Sequence, residues 1–269
     1  MNTGDKLIAL QNSNRVIELL AAQRQLHSDA KAVYIAHGVI SIVVPVIAAL
    51  FPNASALVSV LAVVAPVALG RILVDRADAK QAEAASVQQV IDAILFGIEF
   101  PHVDYDRGLA ARRSKSHIRR YGTGKLKNWY PDRIRGLASG EAEYECQGVN
   151  VIWTRNLSIL SFLFDLTIVA IAAIAAVFGI QRSGGGSLAY VLLTPIIEWF
   201  VETMLDRYKL YRLVDRIKSS RDDLGNIDME CIARVQELIY VYRCQRSVPD
   251  FIYAFSKNSE QGKADSSLI

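Results

Sequence analysis

Long apolar runs that contain no charged residue dominate the sequence. The first covers residues 32–70 and is nearly twice as long as the about 20 apolar residues that a helix needs to cross a bilayer. A Phe-Pro-Asn triplet at residues 51–53 interrupts it near the middle, and Pro and Asn are turn residues. The pattern therefore predicts a helical hairpin at 32–74, with spans at 32–51 and 55–74, rather than a buried hairpin in a large soluble core.

Residues 156–205 repeat this pattern. Two stretches of spanning length, at 156–180 and 188–205, flank a Gly-rich turn at residues 183–186. The charged residues within the two stretches are Asp165, Glu198 and Glu202. We therefore expect a second hairpin, and four transmembrane helices in total.

The positions of the basic residues predict the orientation in the membrane. Of the 30 Lys and Arg residues, 29 lie outside the two expected hairpin turns, and Arg182 is the exception. The positive-inside rule therefore places both termini and the segment between the hairpins on the cytoplasmic side. The first 31 residues mix acidic and basic side chains and show no signal-peptide pattern, so we expect the first span itself to direct insertion.

Three cytoplasmic segments complete the expected architecture. Residues 1–31 have apolar positions at helical spacing and predict an amphipathic entry helix. Residues 75–155 comprise a helical stalk that ends at Pro101 and a basic insert rich in helix breakers. Residues 206–269 predict two further helices and a tail. The predicted fold class is an all-α membrane protein with four transmembrane helices in two hairpins and a cytoplasmic stalk, insert and C-terminal helices.

The composition and the scattered reactive residues argue against catalysis. The chain is 52% hydrophobic with a mean hydropathy of +0.22, which is high for a soluble protein. Its four His residues follow no catalytic or metal-binding motif, and its three Cys residues have no paired spacing. An acidic loop at residues 102–106 has alternating metal-ligand types, but loops of this kind are commonly solvated. We expect no enzymatic activity, no metal and no cofactor.

A basic stretch at residues 107–135 carries the clearest ligand signal. It holds ten Lys and Arg residues against one acidic residue, Asp132, with aromatic residues interleaved. Arg side chains suit phosphate, and aromatic rings stack on bases, so a nucleotide ligand is one interpretation. Orientation and contact with anionic lipid is the other. The predicted nucleotide contacts are Arg112, Arg113, Arg119, Arg120, Trp129 and Tyr130.

Acidic residues inside the expected spans are costly in lipid and are candidate pore positions. Counted from the cytoplasmic ends of their helices, Asp165 and Glu198 lie at similar depths. An oligomer would then present an acidic ring that selects cations. The alternative is that these acids lie near the interface, are protonated, or pair with Arg71, Arg155 or His37. The predicted pore-lining residues are Asp165, Glu198, Glu202 and Thr194.

Three groups of residues form a recognisable pattern along the chain. The first comprises Gln11-Asn12, 19–26 and 28–31; the second, before the third span, comprises Cys146-Gln147, Asn150 and Trp153; the third comprises Val235-Gln236, Ile239-Tyr240, Arg243 and 249–253. Together they resemble the SMODS-associated four-transmembrane effectors of bacterial cyclic-oligonucleotide anti-phage signalling. The chain departs from that pattern at Gly148, where Arg is expected, and at Thr154, where Asp is expected.

This resemblance implies a function that composition and periodicity do not. It implies a multi-pass protein of the bacterial inner membrane that forms a homo-oligomer in the lipid bilayer. The effector would permeabilise the membrane after binding a cyclic di- or trinucleotide made by a partner cyclic-nucleotide synthase. Two alternatives stay open: a constitutive ion or small-solute transporter, and a membrane-anchored scaffold without conductance.

Overall fold

A computed structural model describes residues 2–50, 56–99, 104–182, 193–222 and 227–245. Within these ranges the chain forms seven α-helices and no β-strand, so the all-α prediction is confirmed. The helices are α1 (Thr3–Leu10), α2 (Asn14–Leu50), α3 (Ala56–Phe96), α4 (Arg107–Tyr121), α5 (Glu141–Arg182), α6 (Thr194–Asp222) and α7 (Met229–Arg243). Two short 3-10 turns, Gly124–Leu126 and Asp132–Ile134, lie between α4 and α5.

The entry helix expected at the N-terminus is two helices. α1 ends at Leu10, and after a turn α2 begins at Asn14 and continues into the first expected span. The Ser13 hydroxyl accepts a hydrogen bond from the Val16 backbone N–H at 3.4 Å, which satisfies one of the free donors in the first turn of α2. The periodicity predicted the helical content but not this turn.

The stalk is a direct continuation of the second expected span. α3 begins at Ala56 and ends at Phe96, before the expected end at Pro101. Gly97 follows with a φ of +67°, the left-handed conformation that commonly ends a helix and that Gly adopts without strain. The expected turn at 51–53, the Gly-rich turn at 183–186 and the segment at 249–253 lie outside the described residues.

The chain divides into two compact units, each built from separate segments. We call the first the insert unit; it comprises Met1–Asp29, Asp78–Asn156 and Leu210–Ser247. We call the second the hairpin unit; it comprises Ala30–Ala77, Leu157–Lys209 and Val248–Ile269.

The insert unit contains a conventional apolar core. α1, α2 and α3 contribute Leu7, Leu20 and Ile91, and the two 3-10 turns contribute Leu126 and Ile134; each of these side chains is at most 1% exposed. A second cluster joins α5, α6 and α7 through residues such as Val151, Val214 and Ile239. This burial orders the loop-rich insert, because a buried Leu or Ile side chain contributes about 1.5–3 kcal/mol.

The hairpin unit instead has apolar side chains on its outside. On α5, Ile171, Ile174 and Phe178 are 62–70% exposed. Two helical stretches, Asn14–Ala48 and Glu141–Ala175, are long and apolar enough to cross a membrane. Only 33% and 22% of the most apolar part of each stretch is buried, whereas the core helix of a soluble protein is mostly buried. The other two expected spans adjoin residues outside the described ranges, so the four-span topology stays a prediction.

Glycines allow close helix contacts within the hairpin unit. Gly38 of α2 lies against the Trp199 indole of α6, and Gly70 of α3 lies against the His37 imidazole of α2. A Cβ atom at Gly70 would be 2.6 Å from His37 Nε2. Small residues at such crossings are typical of helix packing in membranes, where close backbone approach replaces the hydrophobic effect.

Candidate functional site

A buried carboxylate in the insert unit is the centre of a polar network. Asp92, on α3, is fully buried, and it forms an ion pair with Arg243 of α7. Gln236 Nε2, two turns away from Arg243 on the same face of α7, donates a hydrogen bond to Asp92 Oδ2 at 2.6 Å. A buried charge is tolerated only with such pairing and hydrogen bonding, so Asp92 fixes where α7 contacts the stalk.

Tyr130 joins this network from the segment between the two 3-10 turns. Its hydroxyl donates to Asp92 Oδ1 at 3.4 Å and accepts from Asn150 Nδ2 at 3.4 Å. Burial, reinforced by the Asp92 charge, raises the pKa of Tyr130 well above its usual value. Burial alone would lower the pKa of Arg243, but the charge and hydrogen bond of Asp92, together with Tyr242 and Tyr130, outweigh burial and raise that pKa. The site is therefore a fixed charge pair with a neutral phenol.

A chain of glutamine side chains extends the network across three helices. Gln236 Nε2 also donates to Gln89 Oε1 of α3 at 3.2 Å, and Gln236 Oε1 accepts from Gln147 Nε2 of α5 at 3.1 Å. Gln147 Nε2 donates as well to the Ile232 carbonyl at 2.9 Å. Burial raises the pKa of the neighbouring Cys146 thiol, which keeps it protonated and chemically inert.

The N-terminal helix pair holds the Tyr130 segment in place. Gln11 Oε1 accepts from the Tyr130 backbone N–H at 2.7 Å, and Gln11 Nε2 donates to the Tyr130 carbonyl at 3.4 Å. Asn12 makes a matching pair with Asn128, whose φ is +54°. Three of these hydrogen bonds reach the loop backbone, and the two at Tyr130 satisfy a buried N–H and carbonyl in a stretch without regular secondary structure.

The residues that carried the family resemblance meet in this network. They come from three segments that are far apart in the chain, and their side chains take part in the hydrogen bonds described above: Gln11, Asn12, Gln147, Asn150, Gln236 and Arg243. Sequence reasoning missed Asp92 and Gln89. The sequence signal for these two residues was that they are polar and lie on α3 close to Val87 and Ile91, two apolar residues of one helical stripe.

The two departures from the family pattern have local structural explanations. At Gly148, a Cβ atom would lie 2.6 Å from Nη2 of Arg221, which comes from α6. Arg221 stacks over the Tyr144 ring at 4.0 Å and donates to the Tyr144 carbonyl at 2.9 Å. A guanidinium from another helix thus occupies the space beside Gly148. Thr154 Oγ1 donates to the Tyr242 hydroxyl at 3.3 Å.

The predicted nucleotide contacts do not form one cluster. Arg112, Arg119 and Arg120 are exposed on α4. Arg113 is half-buried and pairs with Asp29 at 3.1 Å. Trp129 is half-buried with Arg24 stacked over its ring at 5.3 Å, and Tyr130 belongs to the buried network. This assignment stays a prediction, and the surface available to it is the exposed face of α4.

The predicted pore residues occupy different environments in the hairpin unit. Asp165 is buried, with its Oδ2 3.3 Å from Nε of Arg207. Thr194 and Glu198 are exposed on α6, and Glu202 is half-buried. Arg207 lies nine residues after Glu198, about 13 Å along the helix. Asp165 therefore pairs with Arg207, a partner not among those expected, rather than lying level with Glu198.

No grouping of three His, Cys, Asp or Glu side chains that could hold a metal ion occurs in the described part of the chain. The start of the acidic loop considered above, residues 102–103, lies outside that part. The network around Asp92 consists of paired charges and hydrogen-bonded amides rather than an activated nucleophile or base.

Taken together, the fold and these sites define an all-helical, membrane-associated protein with a polar unit ordered by a buried ion pair. The chain belongs to the SMODS-associating 4TM effector domain family, whose model matches residues 5–268. No curated protein and no solved structure matches the chain. The family match confirms the resemblance given by the three residue groups.

Proposed function

We propose that the protein is a membrane effector that oligomerises and permeabilises the bacterial inner membrane in response to a cyclic di- or trinucleotide. The observation that carries this proposal is the match to a four-transmembrane effector family over nearly the whole chain. The outward apolar side chains of α2 and α5 support insertion in a bilayer, because only lipid or another subunit covers such faces.

In this proposal the hairpin unit supplies the permeation path. Thr194, Glu198 and Glu202 recur every four residues on α6, so they lie near one face, and the first two are exposed in the single chain. Neighbouring subunits would cover that face and line a path with carboxylates. The buried Asp165–Arg207 pair would hold α5 against α6 at the start of that path.

The insert unit supplies the response to the signal. A cyclic-nucleotide synthase would produce the ligand, and the cations of the insert would bind its phosphates. The Asp92–Arg243 pair and its glutamines join the stalk to the C-terminal helix, so a ligand that displaces α7 would be coupled to the stalk.

Dye leakage from proteoliposomes tests this function. The purified full chain is reconstituted and challenged with a panel of cyclic di- and trinucleotides. Leakage that requires one of these nucleotides supports the proposal. Transport without any nucleotide would favour the constitutive transporter, and the absence of leakage with every nucleotide would favour the scaffold.

Substitution of Glu198 tests the permeation path. Because its side chain is exposed, Glu198→Gln removes a charge without disturbing the core, and we expect cation flux to fall by about tenfold, on the scale of one lost favourable charge contact. Asp215→Asn is the matched control, since Asp215 is exposed on the same helix beyond the expected span. Equal flux in both variants would remove Glu198 from the path.

A further inference from the structure

The helix α4 has an unusual charge distribution. Its sequence, RGLAARRSKSHIRRY, carries six cationic residues and no carboxylate. Its buried face, which includes Ala110 and Ser114, packs toward the core of the insert unit. The helix is thus amphipathic, with one side fixed by packing and the other strongly basic.

The basic side of α4 forms one stripe. Arg112, Lys115 and Arg119 are spaced i, i+3 and i+7, which places them on a single helical face, and all three are exposed. None of them forms an ion pair with a carboxylate in the part of the chain that the structure describes. Leaving three like charges on one face without a partner is unfavourable, so an external anion would relieve their repulsion.

The contact between α4 and α2 lies close in the chain to the first charge-free run. Arg113 Nη1 lies 3.1 Å from Oδ2 of Asp29, and Asp29 precedes the charge-free run at residue 32 by three residues. Three residues of helix correspond to about 5 Å. α4 therefore contacts α2 within about one helical turn of the residue at which the charge-free run begins.

We propose that the exposed face of α4 binds the phosphates of anionic lipids in the bilayer that the protein itself inhabits. Lipid fits this face better than a soluble nucleotide does, because both aromatic residues expected to stack on a base are engaged elsewhere. Trp129 lies under Arg24, and Tyr130 is buried. A convex row of cations without a stacking platform suits a headgroup layer. This inference goes beyond the proposed function: it reassigns Arg112 and Arg119 from the nucleotide to lipid and leaves the nucleotide's phosphates to the other cations of the insert.

Hydrogen–deuterium exchange in nanodiscs tests the proposal. The full chain is placed in phosphatidylcholine nanodiscs with or without phosphatidylglycerol, and exchange is followed in residues 107–121. Each cation near an anionic surface contributes about fivefold, so we expect exchange to slow by at least about tenfold with phosphatidylglycerol. The protection should vanish in 1 M salt, where the Debye length is about 3 Å.

Two triple variants distinguish binding by the stripe on α4 from an effect of the net charge of the insert. Arg112→Gln with Lys115→Gln and Arg119→Gln should abolish the lipid-dependent protection, whereas Lys125→Gln with Lys127→Gln and Arg133→Gln should retain it. Unchanged exchange in residues 78–96 verifies that each variant is folded.

Three results would overturn the inference. One is equal exchange in the two lipid compositions, and another is protection that survives in the α4 variant. The third is protection by a cyclic dinucleotide in pure phosphatidylcholine, which would assign the stripe to the soluble ligand. Failure of nucleotide-dependent leakage with lipid protection intact would contradict the proposed function and leave this inference standing.

Discussion

Asp92 joins α3, α7 and the segment between the 3-10 turns of the insert unit. It is fully buried, and its partners come from α7 and from the segment between the 3-10 turns. Removing one member of a buried ion pair leaves an uncompensated charge, which costs more than the pair itself contributes. The neutral tyrosine and glutamines nearby have no charge to replace it.

We therefore expect Asp92→Asn to destabilise the insert unit by about 3–5 kcal/mol, because Arg243 would stay buried without its counter-ion. Denaturant unfolding of the detergent-solubilised protein measures this change. Asp132→Asn is the control, since Asp132 pairs with Arg135 in solvent at 3.1 Å and should change stability by less than about 1 kcal/mol.

A double variant that removes both charges tests the same prediction. Asp92→Leu combined with Arg243→Met replaces both charges by apolar groups and should recover much of the lost stability. A double variant as unstable as Asp92→Asn would indicate that the pair has a role other than mutual neutralisation.

At the scale of helices, the sequence predicts most of the secondary structure. The helix α4 begins at Arg107 because Asp106 accepts a hydrogen bond from the Leu109 backbone N–H at 2.9 Å. Helical periodicity and caps are local signals, so they can be recognised in a short stretch of sequence. The turn before Asn14 was missed because Leu10 and Ile17, seven residues apart, keep helical spacing across it, although the residues between them include the turn formers Asn12 and Ser13.

Partners between helices were not predictable in the same way. Asp165 was identified as important, but Arg207 was not identified as its partner, because the register of α5 against α6 depends on packing rather than on depth counted from each end. Asp92 was missed for a related reason. Its partner Arg243 is 151 residues away in the chain, and nothing local marks either residue as half of a pair.

The start of α7 provides a pH-dependent prediction. Asp228 Oδ1 accepts from the Cys231 backbone N–H at 2.7 Å, and this hydrogen bond lowers the pKa of Asp228 below its usual value of 3.8. A lowered folded-state pKa means that the cap stabilises the helix above the unfolded-state pKa and is lost as the pH falls through the folded-state value.

Calorimetry of the solubilised protein at different pH values tests this cap. Relative to Asp228→Ser, which keeps an acceptor that does not titrate, the wild type should lose melting temperature below about pH 4. Asp228→Ala should melt lower than both at neutral pH. A constant difference between wild type and Asp228→Ser from acid to neutral pH would contradict the assignment.

At the scale of the whole molecule, the number of spans is the central prediction. Two helical stretches are long and apolar enough to cross a membrane, and the positive-inside distribution requires an even number of crossings to keep both termini on one side. The family match describes a four-transmembrane domain, which agrees with two hairpins.

Cysteine labelling of intact cells tests this topology. Asn53→Cys and Ser183→Cys, in the two expected turns, should react with an impermeant maleimide added outside. Ser116→Cys, on the exposed side of α4, should react only after the membrane is opened. The native Cys146 and Cys231 are buried and give little background, whereas the partly exposed Cys244 is replaced by Ser in all three labelling variants. External labelling of Ser116→Cys would invert the orientation.

The discontinuous make-up of the insert unit has a consequence for biosynthesis. Its last segment, Leu210–Ser247, leaves the ribosome after the apolar segments at 32–74 and 156–205. Until Gln236 and Arg243 have been translated, Asp92 lacks its guanidinium and its amide donor. A nascent or prematurely terminated chain therefore carries its apolar segments without a complete insert unit, and we expect membrane proteases to degrade such chains fastest.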